Sequence, residues 1–110
     1  MPSNRVVIHV YKDNGTPYKV YISGKMSGLP DHGKASFEKA TSYYRTIGYD
    51  VISPYETGTG EWTAMMHKDI KHVLDCDRIY CLPDWTDSKG ARIEVFIGTL
   101  LKKSILELTD

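Results

Sequence analysis

The stretch Asp84-Trp-Thr-Asp-Ser-Lys-Gly-Ala-Arg-Ile-Glu-Val-Phe-Ile-Gly-Thr-Leu-Leu101 decides how this chain folds. It follows Arg78-Ile-Tyr-Cys-Leu82, an apolar run typical of a buried strand, which Pro83 ends. Asp87 or Ser88 can cap a helix, because a short side-chain oxygen accepts a hydrogen bond from a free N–H of the first turn. Apolar residues then recur at helical spacing, at Ile93, Phe96, Ile97, Leu100 and Leu101. The stretch therefore predicts a strand that leads directly into a helix.

One charged residue interrupts the apolar part of this helix. Glu94 has Gly90, Ala91, Ile97 and Gly98 as its neighbours at three and four positions, so its face is small and apolar. Burying a carboxylate without a partner is costly and raises its pKa. Two interpretations follow for Glu94: it reaches solvent or a distant Lys from the edge of the core, or it is a catalytic carboxylate beside a glycine-lined pocket.

A second carboxylate lies in a similar position on the preceding predicted helix, Glu61 to Leu74. Most neighbours of Asp69 at helical spacing are apolar, including Met65, Met66 and Val73. Asp69 either pairs with His72 or a strand end, or it faces a site. Two inward carboxylates in one small domain suit glycosyl chemistry, in which one group attacks the anomeric carbon and another orients the sugar or handles protons.

Strands and helices alternate along the rest of the chain. The predicted strands are 5–11, 18–23, 49–53, 78–82 and 104–108, and the remaining predicted helix is Lys34 to Ile47 with Gly48 as its C-cap. The turn signal Asp13-Asn14-Gly15 predicts an N-terminal hairpin, which places the first strand at a sheet edge. The pattern predicts an α/β, three-layer, flavodoxin-like or Rossmann-like domain with a mainly parallel sheet and an extra N-terminal edge strand.

Ligands in such sheets bind beyond the carboxyl ends of the strands, where this chain has three glycine-containing loops, Gly24–Gly33, Tyr55–Gly60 and Pro83–Gly90. The first loop resembles a phosphate cradle, because glycine lets backbone N–H groups approach an anion and Lys25 adds charge. It matches neither the Walker loop nor the dinucleotide fingerprint. A glycine turn after a strand also occurs simply as a turn, so the loop alone does not settle the ligand.

Composition narrows the class of protein. The 110 residues form one predicted domain, 1–110, and 14 basic residues balance 14 acidic ones, which argues against a nucleic-acid partner. We interpret Cys76 and Cys81 as reduced core residues of a cytoplasmic protein. His67 and His72 are five apart and face different sides of a helix, so we predict no metal site. The sequence contains no apolar run long enough for a membrane span and no signal-peptide pattern, so no membrane partner is expected.

The combination of motifs resembles an uncharacterised, often phage-encoded family within the nucleoside 2-deoxyribosyltransferase-like superfamily. The resembling segments are Tyr21-Ile-Ser-Gly-Lys-Met-Ser-Gly-Leu-Pro-Asp31, Phe37, Gly48-Tyr-Asp-Val-Ile-Ser-Pro54, Asp69-Ile70, Cys76-Asp77, Leu82-Pro-Asp-Trp85 and Ser88-Lys-Gly-Ala-Arg-Ile-Glu94. The superfamily also contains the 2′-deoxynucleoside 5′-monophosphate N-glycosidases. Where those glycosidases have an Arg in the first loop, this chain has Ser27.

The resemblance implies a role for each catalytic position. Glu94 would be the nucleophile that attacks C1′, Asp69 would bind the sugar hydroxyls or assist at the leaving base, and Tyr21 would orient Glu94. Gly24 with its neighbours Lys25 and Met26, together with Ser88 and Gly90, would hold a 5′-phosphate or the 5′ end of the sugar. Trp85 would either stack on a base or pack against the end of the sheet.

The resulting prediction is an N-glycosidase or nucleoside deoxyribosyltransferase-like enzyme that acts on a (deoxy)nucleoside or its 5′-monophosphate without a cofactor. A non-catalytic module that binds, senses or sequesters a nucleotide is the alternative, and an NAD-type glycohydrolase is a weaker one. The resembling enzymes form at least dimers, so a homodimer or higher homo-oligomer is expected as well.

Overall fold

The computed structural model describes residues 9–57 and 60–109. One sheet contains four strands, β1 (Lys19–Ser23), β2 (Asp50–Ile52), β3 (Arg78–Cys81) and β4 (Ser104–Glu107), in the order β2-β1-β3-β4. All three strand pairings are parallel. Three helices connect them, α1 (Lys34–Ile47), α2 (Trp62–Asp75) and α3 (Lys89–Leu100). The predicted parallel α/β architecture is confirmed.

The sheet is covered on both faces, as a three-layer fold requires. On one face Val20 and Ile22 of β1 pack with Phe37 and Ala40 of α1. The opposite face carries a second cluster, which includes Ile79 of β3 and residues of α2 and α3. Because alternate residues of a strand point to opposite faces, β1 sends Tyr21 and Ser23 to the face of α2 and α3.

Helix α3 lies unusually close to the sheet. A Cβ atom built on Gly98 would lie 2.3 Å from the Cδ1 atom of Ile79, so only glycine fits there without movement of the Ile79 side chain. At the other end of the helix, Ser88 is the N-cap, and its hydroxyl accepts a hydrogen bond from the N–H of Ala91 at 3.1 Å. The contact at Gly98 sets the distance between α3 and the sheet, and the Ser88 cap sets the residue at which α3 begins. Together they determine the position of Glu94 in the middle of the helix.

The loop from β1 to α1 contains a left-handed turn. Asp31, His32 and Gly33 have φ angles of 47°, 53° and 79°, a region that residues other than glycine seldom occupy. A Cβ atom on Gly33 would lie 2.8 Å from the carbonyl oxygen of Lys25, so the turn folds tightly back on its own start. This packing holds the loop over the carboxyl end of β1.

The N-terminal prediction is tested only in part. Residues 5–8 of the predicted edge strand lie outside the described residues. In the part of this region that the structure describes, Tyr11 forms an isolated antiparallel bridge with Pro17, and the N–H of Tyr18 donates to the carbonyl of Val10 at 2.8 Å. The turn at 13–15 therefore reverses the chain just before β1, which itself lies inside the sheet between β2 and β3. None of the helices in 9–57 and 60–109 is long and apolar enough to cross a membrane.

Candidate active site

A cavity of about 170 Å³ opens at the carboxyl ends of β1 and β3, between the first glycine loop, α2 and α3. Its lining combines two carboxylates, glycine and serine positions and an apolar wall: Gly24, Met26, Ser27, His32, Pro54, Gly60, Trp62, Met65, Met66, Asp69, Ser88, Gly90, Ala91 and Glu94. Small-molecule sites usually enclose roughly 300–1,000 Å³. The cavity therefore encloses only part of a nucleotide-sized ligand, and the remainder of such a ligand has to lie against its rim.

Glu94 is the carboxylate of this cavity that protein hydrogen bonds hold in place. Its side chain is buried, and two hydroxyls from β1 donate to it: the Tyr21 hydroxyl to Oε2 at 2.8 Å and the Ser23 hydroxyl to Oε1 at 2.7 Å. Each carboxylate oxygen thus has one fixed donor and retains a lone pair for a ligand. The strand positions both donors two residues apart on the same face, so the carboxylate is held from below by the sheet.

The electrostatics of Glu94 follow from its burial. Burial raises the pKa of Glu94 to about 7, the hydrogen bonds from Ser23 and Tyr21 oppose this rise, and the neighbouring charge of Asp69 adds to it. Burial also raises the pKa of the Tyr21 phenol well above its usual range, which keeps this hydroxyl protonated as a donor. With a pKa of about 7, the ionised and the neutral forms of Glu94 are present in comparable amounts at neutral pH.

Asp69 enters the same cavity from α2. It is only 6% exposed, and burial raises the pKa of its carboxyl to about 6. Among the described residues, none donates a hydrogen bond to this carboxylate, and the His72 pairing considered from the sequence does not form. Its oxygens therefore remain available to a ligand hydroxyl or to a proton.

Family comparisons agree with this architecture. Residues 18–107 match the family described as "Domain of unknown function (DUF4406)", which covers most of the chain. The chain belongs to this family. A search with the sequence of this chain found no match among curated proteins.

Two solved structures show which fold this family member adopts. A 2-desoxiribosyltransferase from Leishmania mexicana superposes with a TM-score of 0.69 at 19% identity, over 84% of this chain and 64% of the other. A 2-deoxyribosyltransferase from Bacillus psychrosaccharolyticus superposes with a TM-score of 0.66 at 22% identity, over 81% and 70%. The chain thus spans somewhat less than two thirds of the Leishmania protein. The predicted nucleoside 2-deoxyribosyltransferase-like fold is confirmed.

Most residues that the sequence singled out lie at this cavity. Gly24 and Met26 line it from the loop after β1, and Ser88 and Gly90 line it from the start of α3. A Cβ atom on Gly90 would lie 3.1 Å from the Sδ atom of Met66, so the glycine lets α2 and α3 approach each other at the cavity. Tyr21 lies behind the lining and reaches the cavity only through Glu94.

Two of the predicted substrate residues lie elsewhere. Trp85 is not part of the cavity lining: its indole N–H donates to Glu107 at 2.9 Å, and its ring packs on the cluster that contains Ile79. Of the two possibilities for Trp85, the structure therefore shows packing at the end of the sheet. Lys25 is also outside the lining, and its backbone N–H donates to the carboxylate of Asp84 at 3.3 Å. That contact ties the first glycine loop to the loop after β3.

The structure also identifies residues of the site that sequence reasoning missed: one lies behind the cavity lining, and three belong to it. Ser23 follows Tyr21 by two positions on β1, and this strand alternation was the signal that could have identified it as a second donor to Glu94. Trp62, Met65 and Met66 form the apolar wall. Helical spacing does place the two methionines near Asp69, but nothing in the sequence distinguishes a cavity wall from ordinary core.

Other reactive side chains do not suggest a second centre. Within residues 9–57 and 60–109, no three His, Cys, Asp or Glu side chains lie close enough together to hold a metal ion. Both cysteines are buried as free thiols, and burial raises the pKa of Cys76 to about 11 and that of Cys81 to about 12. A thiol that is neutral and buried is a poor nucleophile.

Proposed function

We propose that this protein cleaves or transfers the N-glycosidic bond of a (deoxy)nucleoside or its 5′-monophosphate, with Glu94 as the nucleophile. The observation that carries this proposal is the buried Glu94 carboxylate, held by the hydroxyls of Tyr21 and Ser23 in a cavity that it shares with Asp69. A carboxylate fixed in this way is oriented before the substrate arrives, which lowers the entropic cost of attack. The two solved structures named as 2-deoxyribosyltransferases lend support through their common fold.

In the first step, an oxygen of ionised Glu94 attacks C1′ of the sugar. A C1′–O bond forms, the C1′–N bond breaks, and its electron pair leaves with the base, which takes up a proton. Water or a nitrogen of a second base then attacks C1′ of the covalent glycosyl ester and loses its proton to Asp69 or to solvent. The bond between C1′ and the Glu94 oxygen breaks, and its electron pair stays on Glu94, which is released as a carboxylate. Water as the acceptor gives hydrolysis, and a base gives transfer.

Asp69 acts as the supporting carboxylate. Burial raises the pKa of Asp69 to about 6, which is below that of Glu94, so Asp69 is ionised wherever most of Glu94 is ionised. It donates a proton to the departing base only in the minority of molecules in which Asp69 carries the proton and Glu94 is ionised. In its ionised form the same group accepts hydrogen bonds from sugar hydroxyls. Both roles fit a carboxylate that lines the cavity without a partner among the described residues.

The 5′ end of the substrate lies at the start of α3. Ser88 and Gly90 line the cavity there, and the first turn of a helix offers free N–H groups and a favourable dipole to an anion. The Lys25 side chain is outside the lining, so a phosphate would be held mainly by backbone groups and hydroxyls. This arrangement accepts a 5′-hydroxyl as well as a 5′-phosphate.

Self-association belongs to the same proposal. Phe96 and Leu100, one turn apart on α3, are 63% and 65% exposed, and Leu101 beside them is 50% exposed. We call these three residues the α3 apolar face. A second copy seated on it would remove this apolar surface from water.

A base-release assay tests the proposed reaction. Nucleosides and their 5′-monophosphates are incubated with the protein, and free base is measured by chromatography. Glu94→Gln should lower the rate by several orders of magnitude, because no other group in the cavity replaces a covalent nucleophile. Glu107→Gln, which removes a carboxylate on β4 outside the cavity, is the matched control and should keep the wild-type rate.

A trapping experiment tests the covalent step separately. A 2′-fluoro-2′-deoxynucleotide should leave a sugar adduct on the peptide that contains Glu94, because fluorine destabilises the oxocarbenium-like transition state of breakdown. Mass spectrometry of a digest locates the adduct. If Glu94→Gln releases base at the wild-type rate, the nucleophile assignment is wrong. If nucleotides bind tightly but none releases base, the protein is a nucleotide-binding module instead.

A further inference from the structure

Among the described residues, Trp62 is the only Phe, Tyr or Trp in the cavity lining, and the imidazole of His32 is the one other ring with aromatic character there. It occupies the first position of α2 and is 44% exposed, which is high for an indole beside a ligand cavity. Met65 and Met66, on the next turn of α2, extend the same wall. Flat aromatic faces and polarisable thioethers are well suited to contact a planar heterocycle.

The position of the indole is fixed from two sides. The Nζ atom of Lys89, the first residue of α3, lies over the ring of Trp62 at 4.9 Å from its centroid. A Cβ atom on Gly90 would lie 3.8 Å from the indole nitrogen of Trp62, so the ring also rests against the glycine at the start of α3. Lys89 is not part of the cavity lining, and it therefore covers the ring from outside the cavity.

We propose that Trp62 is the platform on which the nucleobase of the substrate stacks, and that Lys89 is a positioning residue that holds the indole for this contact. The inference rests on the proposed function, because it assumes that the ligand carries an aromatic base. It follows from the size of the cavity: 170 Å³ around Glu94 and Asp69 encloses little more than the reacting sugar, so the base has to lie against the rim, where Trp62 is exposed.

The two tryptophans of the chain make this inference directly measurable. Trp85 lies outside the cavity and bonds Glu107, so Trp85→Phe leaves Trp62 as the single indole fluorophore. We introduce it together with Glu94→Gln, which prevents turnover during the titration. Deoxynucleoside 5′-monophosphates should quench the Trp62 emission saturably, whereas 2-deoxyribose 5-phosphate, which lacks the base, should bind without quenching.

Variants of the platform give a second readout. Trp62→Ala should raise KM for base release roughly 5- to 150-fold, the range expected for one lost base–aromatic stack, with a much smaller effect on kcat. Trp62→Phe should recover part of the loss, because it keeps an aromatic face. Lys89→Met should lower the fluorescence anisotropy of Trp62 and weaken quenching several-fold, and Lys89→Arg should restore both, because a guanidinium also lies well over an indole.

The outcomes separate this inference from the proposed reaction. Nucleotide binding, measured by calorimetry, without any change in Trp62 emission would overturn the platform, as would an unchanged KM in Trp62→Ala while base release continues. In the second case the proposed reaction stands. Quenching without base release would support the stacking role of Trp62 and refute the proposed reaction. If no nucleotide binds, both the stacking role and the proposed reaction are refuted. Should Trp85→Phe fail to fold, the difference between Glu94→Gln with and without Trp62→Phe isolates the same signal.

Discussion

Tyr21 donates its hydroxyl to Glu94 across 73 positions of sequence, at 2.8 Å and in a buried environment. The phenol stays protonated because burial raises its pKa, and the bond opposes the effect of burial on the pKa of Glu94. The pair therefore partly offsets the penalty of placing a carboxylate inside the protein. The strength of this offset can be measured in the pH dependence of the reaction.

The ascending limb of kcat/KM against pH should report the ionisation of Glu94. Since the pKa of Glu94 in the protein without substrate is about 7, kcat/KM should rise as the pH increases through about 7. Tyr21→Phe removes a hydrogen bond that lowers this pKa, so the limb should move to higher pH. Ser23→Ala should act in the same direction. A limb that stays in place in both variants would mean that it reports another group.

Asp69→Asn should slow base release on the order of 10²- to 10⁴-fold, the usual cost of an acid–base or positioning group. It should also move the Glu94 limb to lower pH, because the charge of Asp69 raises the pKa of Glu94. Stopped assays over pH 5–9 measure both effects. A lower rate with an unshifted limb would indicate that the two carboxylates do not interact.

Glu94 should cost the protein stability at neutral pH. Its pKa is about 7 in the folded protein and close to the ordinary value when unfolded, so the folded state binds more protons in between. The stability that protonated Glu94 contributes is fully present below the pKa of this group in the unfolded chain, and it is lost as the pH rises through about 7. Glu94→Gln should therefore raise the free energy of unfolding at pH 8 by about 1–3 kcal/mol and have little effect near pH 4. Urea unfolding of Glu94→Gln and Glu107→Gln at both pH values measures the difference.

Gly98→Ala should destabilise the fold by about 1–3 kcal/mol, because the added Cβ would lie 2.3 Å from the Cδ1 atom of Ile79 and force this fully buried side chain out of its packed position. Gly60→Ala is the matched control, since a Cβ atom there meets nothing within 4 Å. Thermal unfolding compares the two. An unchanged midpoint in Gly98→Ala would show that the packing around Ile79 accommodates the added methyl group without cost.

Self-association should depend on the α3 apolar face. We expect the protein to form dimers or larger homo-oligomers, and Phe96→Glu with Leu100→Lys to yield a monomer that still folds, because both side chains are more than 60% exposed. Light scattering over a range of concentrations measures the mass. Tyr43→Glu, on the exposed side of α1 at 61% exposure, is the control and should leave the mass unchanged. A wild-type protein that is monomeric at every concentration would contradict the expectation.

Much of the fold follows from local patterns in the sequence. The predicted helix Lys34 to Ile47 and the observed α1 have the same bounds, since an apolar stripe and the C-cap Gly48 mark it locally. Ser88, one of two predicted caps, is the one that bonds the first turn of α3. Glu94 and Asp69 were identifiable because each interrupts an apolar face.

The remaining parts of the site depend on tertiary structure. The donors to Glu94 come from β1, more than 70 positions away, and only the order of the strands brings them beneath α3. The two tryptophans show the same limit: each lies next to the start of a helix, yet Trp62 lines the cavity and Trp85 packs at the end of the sheet. The residues around each tryptophan do not predict the direction in which its ring points.

The strand order also governs how this protein can acquire its structure during translation. β1 lies between β2 and β3, so its partners are made after it, and the last of them ends at Cys81. At about 5–20 residues per second, the ribosome needs roughly 3 to 12 seconds to extend the chain from the end of β1 to the end of β3. β1 has no strand of the sheet to pair with until β2 is made, and it can pair on one side only until β3 is made. Among the four strands of the sheet, the one that supports Glu94 is thus the one that a nascent chain exposes longest, and the one that chaperones have most reason to bind.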